Sequence, residues 1–160
     1  MNSYRRRLLC LPALGLLLVT MGCSSTDDEG AVPVPSPDAK TAQLCQNLHK
    51  QLPERIDGLD REDPTPQSEL TAGWGGSAII LRCGVPKPAA MLDPKESTTE
   101  INGVAWLVEE QKDGAYRFTS GMREAHVEIT LDPDQAKQGA GSLVDFAKPI
   151  KETVPEGVAS

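Results

Sequence analysis

The sequence is poor in the residues that most often carry chemistry. Its 160 residues include two His, four Cys and two each of Trp, Tyr and Phe. It contains neither the Gly-x-Ser-x-Gly motif of α/β-hydrolases nor the His-Glu-x-x-His motif of zinc proteases. These absences argue against the enzyme classes that sequence motifs identify. We therefore expect no catalytic residues, and an enzyme is the less favoured expectation.

Basic residues are scarce as well. The chain has 16 Lys and Arg against 23 Asp and Glu, a net charge of −7. Binding to nucleic acids or to anionic lipid surfaces depends on clustered Lys and Arg, which an acidic chain does not supply. We expect no nucleic-acid partner.

The first 22 residues have the features of a lipoprotein signal peptide. Arg5–Arg7 precedes an apolar run, Leu8–Val19, that is shorter than the roughly 18–20 residues needed to span a bilayer. Gly22 comes directly before Cys23, as in lipoproteins whose Cys is acylated after cleavage. We predict lipidation of Cys23, which would anchor the chain to the outer face of the cell membrane in an extracytoplasmic location. The alternative is an ordinary signal peptide with an incidental Cys23.

Two further regions follow the signal peptide. Residues 23–37 are rich in Ser, Pro and acidic residues and lack an apolar period, so we predict a disordered tether. Residues 38–157 are predicted to form a single globular domain. Its first helix is expected to begin near Ser36, with Pro37 at the first helical position.

The pattern of the domain predicts an α+β fold. The most strand-like stretch is Ala78–Val85, in which alternation places Cys83 on the apolar face and Arg82 on the other. A hairpin with a three-residue loop, Lys112–Gly114, should place Val108 opposite Phe118. We expect an antiparallel sheet of four or five strands, with two helices packed on one face and one disulfide.

Two other segments of the domain have patterns that predict their surroundings. The strand 125–131 alternates, and His126 and Glu128 fall on its polar face, where we expect ordinary exposed surface. Near the C-terminus, Pro149 should interrupt or kink a helix that begins after Ser142, and the residues from Pro155 should form a loose tail.

The remaining cysteines predict a disulfide. Once Cys23 is lipidated, the cysteines of the domain are Cys45 and Cys83, and outside the cytoplasm such a pair usually bonds. Both are expected to point into the core. The alternative is a zinc site made by these two with His49 and His126, which the polar-face position of His126 argues against. We expect no metal and no cofactor.

Trp74 and Arg82 are the candidate binding residues. Trp74 lies in a Gly-rich segment, 73–76, that leads into a strand, whereas phosphate loops open a helix. It either plugs one end of the core or borders a ligand groove. Arg82 either pairs with an acid on a neighbouring strand, such as Glu109 or Glu128, or anchors an anion inside that groove.

Several stretches together resemble one family. They are Val34–Asp38, Leu44-Cys45, Trp74-Gly75, Leu81–Pro86, Val104–Trp106 and Val154–Gly157. They are similar to the actinobacterial extracytoplasmic lipoproteins of the domain of unknown function 3515 family. The resemblance implies an envelope location and a paired cysteine, and it implies no known activity. One departure is Gly75–Ser77, where relatives often have a single Gly followed by Pro.

Two functional classes follow from the sequence. The favoured one is an envelope-anchored lipoprotein that acts as a non-catalytic binding or accessory module in cell-wall or membrane assembly, with an envelope protein or cell-wall component as its partner. The alternative is an extracytoplasmic hydrolase with an unrecognised active site. A cavity with converging titratable groups would favour the hydrolase.

Overall fold

The computed structural model describes residues 31–93 and 95–159. The predicted signal peptide and Cys23 lie outside the described residues, as does most of the predicted tether. The last residues of that tether contact the domain, since the backbone N–H of Val32 donates to the carbonyl of Thr65 and Pro35 is buried. Within the described part of the chain, no helix has the length and apolar character needed to cross a membrane.

The fold is α+β, with antiparallel strand pairing throughout. The helices are α1 (Ala39–Gln51), α2 (Pro133–Ala136) and α3 (Leu143–Thr153), and a short 3₁₀ helix spans Ala89–Leu92. The strands are β1 (Arg55–Ile56), β2 (Leu59–Asp60), β3 (Thr71–Trp74), β4 (Ile79–Cys83), β5 (Thr98–Ile101), β6 (Val104–Glu110), β7 (Tyr116–Ser120) and β8 (Val127–Leu131). The main sheet has six strands, in the order β3-β4-β8-β7-β6-β5, where four or five were predicted.

Short segments form the two edges of the sheet, and β3 is the strand that was not predicted. β3 is the Gly-containing segment that ends at Trp74, and it pairs along its whole length with β4. β5 pairs with β6 through a turn at Asn102-Gly103, and both turn residues have positive φ. The predicted register of the next hairpin is confirmed, because Val108 pairs with Phe118 and Gly114 has φ of 86°.

The helix ends differ from the predictions in two places. Asp38, rather than Ser36, caps α1, because its carboxylate accepts hydrogen bonds from the backbone N–H groups of Lys40 and Thr41. The hydroxyl of Thr41 also donates to Asp38 and lowers the pKa of that carboxyl. Helix α3 continues through Pro149, since both flanking turns are held by packing against the core.

Both long helices pack on one face of the sheet, which we call the inner face. Its core contains Leu48 of α1, Phe146 and Ile150 of α3, and the alternate residues of every long strand. Cys45 of α1 and Cys83 of β4 form the predicted disulfide across this interface, with a Cα–Cα distance of 5.5 Å. The disulfide therefore ties the first helix to the second strand of the sheet.

The C-terminal segment is not the loose tail that its Pro and Gly suggested. Arg123 and Glu156 form a β-bridge, and the backbone N–H of Gly157 donates to the carbonyl of Met122. Arg123 is only 5% exposed, and its guanidinium donates to the carbonyls of Gly103 and Val154. This buried cation holds together the β5–β6 turn, the β7–β8 loop and the C-terminal segment.

Candidate ligand-binding site

The connection between β4 and β5 covers part of the opposite, outer face of the sheet. β8, β7 and β6 lie between the two strands, so the chain must travel about 19 Å across the sheet, given the usual strand spacing. The helices occupy the inner face. Residues 86–93 and 95–97, the crossover segment, therefore pass over the outer face.

A cavity of about 390 Å³ lies between the crossover segment and the sheet. Its floor includes Ala105 and Leu107 of β6, and its other walls include Met91 of the crossover segment and Met122 of the β7–β8 loop. The C-terminal residues Gly157–Ala159 close one side. This volume falls at the lower end of the roughly 300–1,000 Å³ of small-molecule sites.

His126 is one of several polar groups in this largely apolar cavity, whose lining also includes Lys87, Asp93, Glu96, Thr98 and Arg123. It is 6% exposed, although the strand pattern predicted surface, because the crossover segment and the C-terminus cover this end of the outer face. Its Nδ1 lies 2.8 Å from the carbonyl oxygen of Ser120. A carbonyl only accepts, so Nδ1 carries the proton and, in the neutral ring, Nε2 presents a lone pair. Within residues 31–93 and 95–159, Nε2 has no hydrogen-bond partner.

Exposed apolar side chains surround the cavity. Leu92, Met122 and Val158 are 72%, 79% and 88% exposed, respectively. Met122 and Val158 line the cavity, and Leu92 follows Met91, which also lines it. Large apolar side chains left in water at one place are typical of a binding surface.

A second cavity, of about 480 Å³, adjoins the first. The two share Lys87, His126 and Ala159 as lining residues. The second cavity is more polar, since the capping residue Asp38 and Thr41 of α1 also line it. His126 therefore lies where an apolar space meets a polar one.

A row of polar side chains crosses the outer face beside the first cavity. The strand register aligns Leu107, Thr119, Glu128 and Arg82 from β6 to β4. Arg82 donates to Glu128 at 3.1 Å, and Arg117 approaches the same carboxylate at 4.0 Å. Arg82 thus pairs with an acid on a neighbouring strand, which was one of the two predicted roles.

Several groups on this face are buried without a hydrogen-bond partner in the described part of the chain. They are Arg82 Nε, Glu109 Oε2, Thr119 Oγ1 and His126 Nε2. Trp106 Nε1, on the inner side, shares this condition. Native proteins leave few such groups, so their concentration on one face is informative.

The structure does not bring Trp74 and Arg82 together. Trp74 is fully buried on the inner face, where its indole N–H donates to the Pro53 carbonyl and its ring packs edge-to-face on Phe146 at 5.1 Å. Arg82 lies on the outer face. The predicted groove with both residues is therefore absent from the described part of the chain, and Trp74 plugs the core.

His49 belongs to a different cluster. Its Nε2 lies 2.7 Å from a guanidinium nitrogen of Arg61, which also bonds Asp63. Burial lowers the pKa of His49, and the Arg61 charge lowers it further. The predicted alternative of zinc fails here, since Cys45 and Cys83 are bonded to each other. No group of three or more His, Cys, Asp or Glu in residues 31–93 and 95–159 could hold a metal ion.

Sequence reasoning missed most of the residues that define the site. His126 was assigned to solvent, and Met91, Leu92, Met122 and Arg123 were not singled out. One pattern could have indicated them: a polar strand face next to a long connection that contains Met and Leu rather than only polar residues.

These features define a small disulfide-bonded α+β domain with a ligand-sized cavity on the outer face of its sheet. The chain belongs to a family of proteins of unknown function, DUF3515, whose profile matches residues 8–158. The resemblance seen in the sequence is thereby confirmed. Comparison with curated proteins and with solved structures gave no significant match.

Proposed function

We propose that this protein is a non-catalytic binding module, held at the outer face of the cell membrane by a lipid on Cys23, that serves cell-wall or membrane assembly. One observation carries the proposal: the 390 Å³ cavity combines a mainly apolar surface, with charged side chains in its lining, and a His126 Nε2 that has no partner among the described residues. An acceptor hidden from water without a partner costs about 1–3 kcal/mol. A bound ligand with a donor group would remove that cost.

The envelope location rests on the sequence and on the disulfide. The basic start, apolar run and Gly22-Cys23 pair support a lipoprotein signal. The bond between Cys45 and Cys83 fits an oxidising compartment, because the cytosol keeps thiols reduced.

The anchor is tested by detergent phase partition of the wild type and of Cys23→Ala. We expect the wild type in the detergent phase and the variant in the aqueous phase. Equal recovery of both in the aqueous phase would contradict lipidation.

The binding site is tested by complementation of a strain that lacks the gene. Ala105→Leu places a larger side chain on the cavity floor, and Ala89→Leu is the matched control, an exposed position in the crossover segment outside the cavity lining. We expect the first variant to fail and the second to complement, with equal thermal melts. Full complementation by a folded Ala105→Leu would place the function elsewhere.

The alternative, a hydrolase, is favoured by the same histidine and by the titratable side chains of Lys87, Asp93 and Glu96, which line the same cavity. A neutral imidazole with a free Nε2 in a cavity has the form of a general base. Its described neighbours, however, form no nucleophile–base hydrogen bond of the kind that activates Ser, Thr or Cys. His126→Asn separates the two, since a hydrolase would lose turnover while its substrate affinity stayed the same, whereas a binding module would show no turnover in the wild type and weaker ligand binding in the variant.

A further inference from the structure

We propose that the two cavities together bind one single-chain amphiphile, with its apolar tail in the 390 Å³ cavity and an uncharged head in the 480 Å³ cavity. His126 Nε2 accepts a hydrogen bond from a hydroxyl or amide N–H of the head. This inference rests on the proposed binding function and names the ligand class.

The apolar cavity suits a chain rather than a rigid polar molecule. Met91 and Met122 face it from two different segments, and thioether side chains adapt to irregular apolar ligands. Val158 and Met122 line the cavity and are largely exposed, so the cavity has an apolar rim open to solvent. A flexible chain that emerges from the cavity would cover this rim.

The head group of the ligand must donate a hydrogen bond to His126. The Ser120 carbonyl fixes the proton of His126 on Nδ1, so a ligand meets the lone pair on Nε2. An ether or ester oxygen has no hydrogen to donate. A hydroxyl or an amide N–H meets the requirement.

The charges of the second cavity favour an uncharged head. Its ionised lining residues are one carboxylate, Asp38, and one ammonium, Lys87. The Asp38 oxygens already accept from Lys40 N, Thr41 N and the Thr41 hydroxyl. The balance of one charge of each sign gives neither an anionic nor a cationic head an advantage.

The proposed anchor also places the domain near such molecules. Val32 is fixed to the domain by its bond to Thr65. The nine steps from Cys23 to Val32 span at most about 30 Å when fully extended. A lipid on Cys23 would therefore keep Val32, and with it the domain, close to the membrane surface.

The test compares two probes that share a chain. 1-Decanoylglycerol carries two hydroxyls, and methyl decanoate carries none. Each is titrated below its aggregation concentration into the chain from Cys23 onward with Cys23→Ser, which keeps every described residue, and the ¹⁵N resonances of the labelled imidazoles are followed.

We expect 1-decanoylglycerol to bind about threefold to tenfold more tightly, the effect of one net hydrogen bond, and to shift the Nε2 resonance of His126. His126→Asn keeps an N–H donor for the Ser120 carbonyl, but its shorter side chain has no acceptor atom at the position of Nε2, so it should abolish the preference while the chain still binds. Ala105→Leu should weaken both probes, and Ala89→Leu neither. If His126→Asn does not fold, the binding of the two probes to the wild type, to Ala105→Leu and to Ala89→Leu tests the inference instead.

Three results would overturn the inference: no binding of either probe, equal binding without a shift of the His126 resonance, or undiminished binding by Ala105→Leu. Capture of a protein instead of a lipid by a photoreactive Met analogue at position 91 in intact cells would also overturn it. If both probes fail yet Ala105→Leu fails to complement, the ligand class is wrong and the binding function stands. If a folded Ala105→Leu complements fully, the proposed function fails at this cavity.

Discussion

Met122 lies in a backbone conformation that its residue type disfavours. A residue that tolerates this conformation better should stabilise the fold. Its φ is 55°, in the left-handed region, where an L-residue pays roughly 1–2 kcal/mol. Asn tolerates this region better than most residues, since its short polar side chain bonds locally. The Met122 side chain is 79% exposed, so its removal forfeits little packing.

We therefore expect Met122→Asn to raise the free energy of unfolding by about 1 kcal/mol. For a domain of this size that corresponds to roughly 3–5 °C in Tm. Urea denaturation should show a higher midpoint with an unchanged m-value, which marks a change of stability rather than of compactness.

Asn102 provides the matched reverse experiment. Its φ is 49°, it is exposed, and it already has the residue type that this region prefers. Asn102→Met should lower the free energy of unfolding by about 1 kcal/mol. If Asn102→Met behaves so while Met122→Asn brings no gain, the left-handed geometry at Met122 is not what limits stability there.

Three further predictions concern the scaffold. Cys45→Ala should lower the free energy of unfolding by about 4 kcal/mol, the chain entropy of a 38-residue separation, measured by urea denaturation without reductant; a loss below 1 kcal/mol would contradict the entropic argument. Arg123→Met should lower the free energy of unfolding by about 3 kcal/mol, because the buried Val154 carbonyl and the Gly103 carbonyl lose their donor, and Arg123→Lys should lower it less. Equal stability of the wild type and both variants would show that water replaces the guanidinium. The pKa of His49 is lowered in the folded state, so His49 contributes its full stabilisation above the unfolded pKa near 6.5, and this contribution is lost as the pH falls below 6.5. His49→Gln should therefore reduce the dependence of the free energy of unfolding on pH in this range. An unchanged dependence would assign it to another titratable group.

The inner face could be predicted because its pattern is local. Leu81 and Cys83 alternate in β4, and Cys45 and Leu48 recur at helical spacing in α1. Periodicity determines which side of an element is apolar, and the disulfide follows once both cysteines face that side. The hairpin register could also be predicted from local sequence, because the position of Gly114, which has a positive φ, determines the loop length.

The predicted number of strands was too low at one edge of the sheet, for a different reason. β3 is short and Gly-containing, and its pairing with β4 depends on tertiary contacts rather than on propensity. β3 is buried along its length, yet its sequence lacks the apolar alternation that indicates a strand. The opposite edge strand, β5, consists mainly of polar residues, and the Asn102-Gly103 turn that joins it to β6 is a strong hairpin signal.

The outer face could not be predicted because its burial depends on strand order. A polar strand face is normally solvated, and His126 was assigned to solvent on that basis. The order β4-β8-β7-β6-β5 sends the crossover segment over it, and no local pattern encodes that path. The sequence therefore identified the polar strand face correctly, but it did not show that the crossover segment covers this face and forms the candidate site.

The same covered face allows a last prediction with a matched pair of threonines. Thr119 and Thr71 are both fully buried in strands and lie in the same row across the sheet. The Thr71 hydroxyl donates to the Ser68 carbonyl at 3.4 Å, whereas the Thr119 hydroxyl has no partner within the described residues.

Valine replaces threonine with nearly the same shape and removes only the hydroxyl. Thr119→Val should raise the free energy of unfolding by about 1 kcal/mol, since a buried unpaired hydroxyl is costly. Thr71→Val should lower it by about 1 kcal/mol, because the Ser68 carbonyl loses its donor. Urea midpoints of the wild type and the two variants measure both changes. A Thr119→Val variant that is less stable than the wild type would mean that a bound water or ligand satisfies this hydroxyl, and the count of unpartnered groups on the outer face would then fall by one.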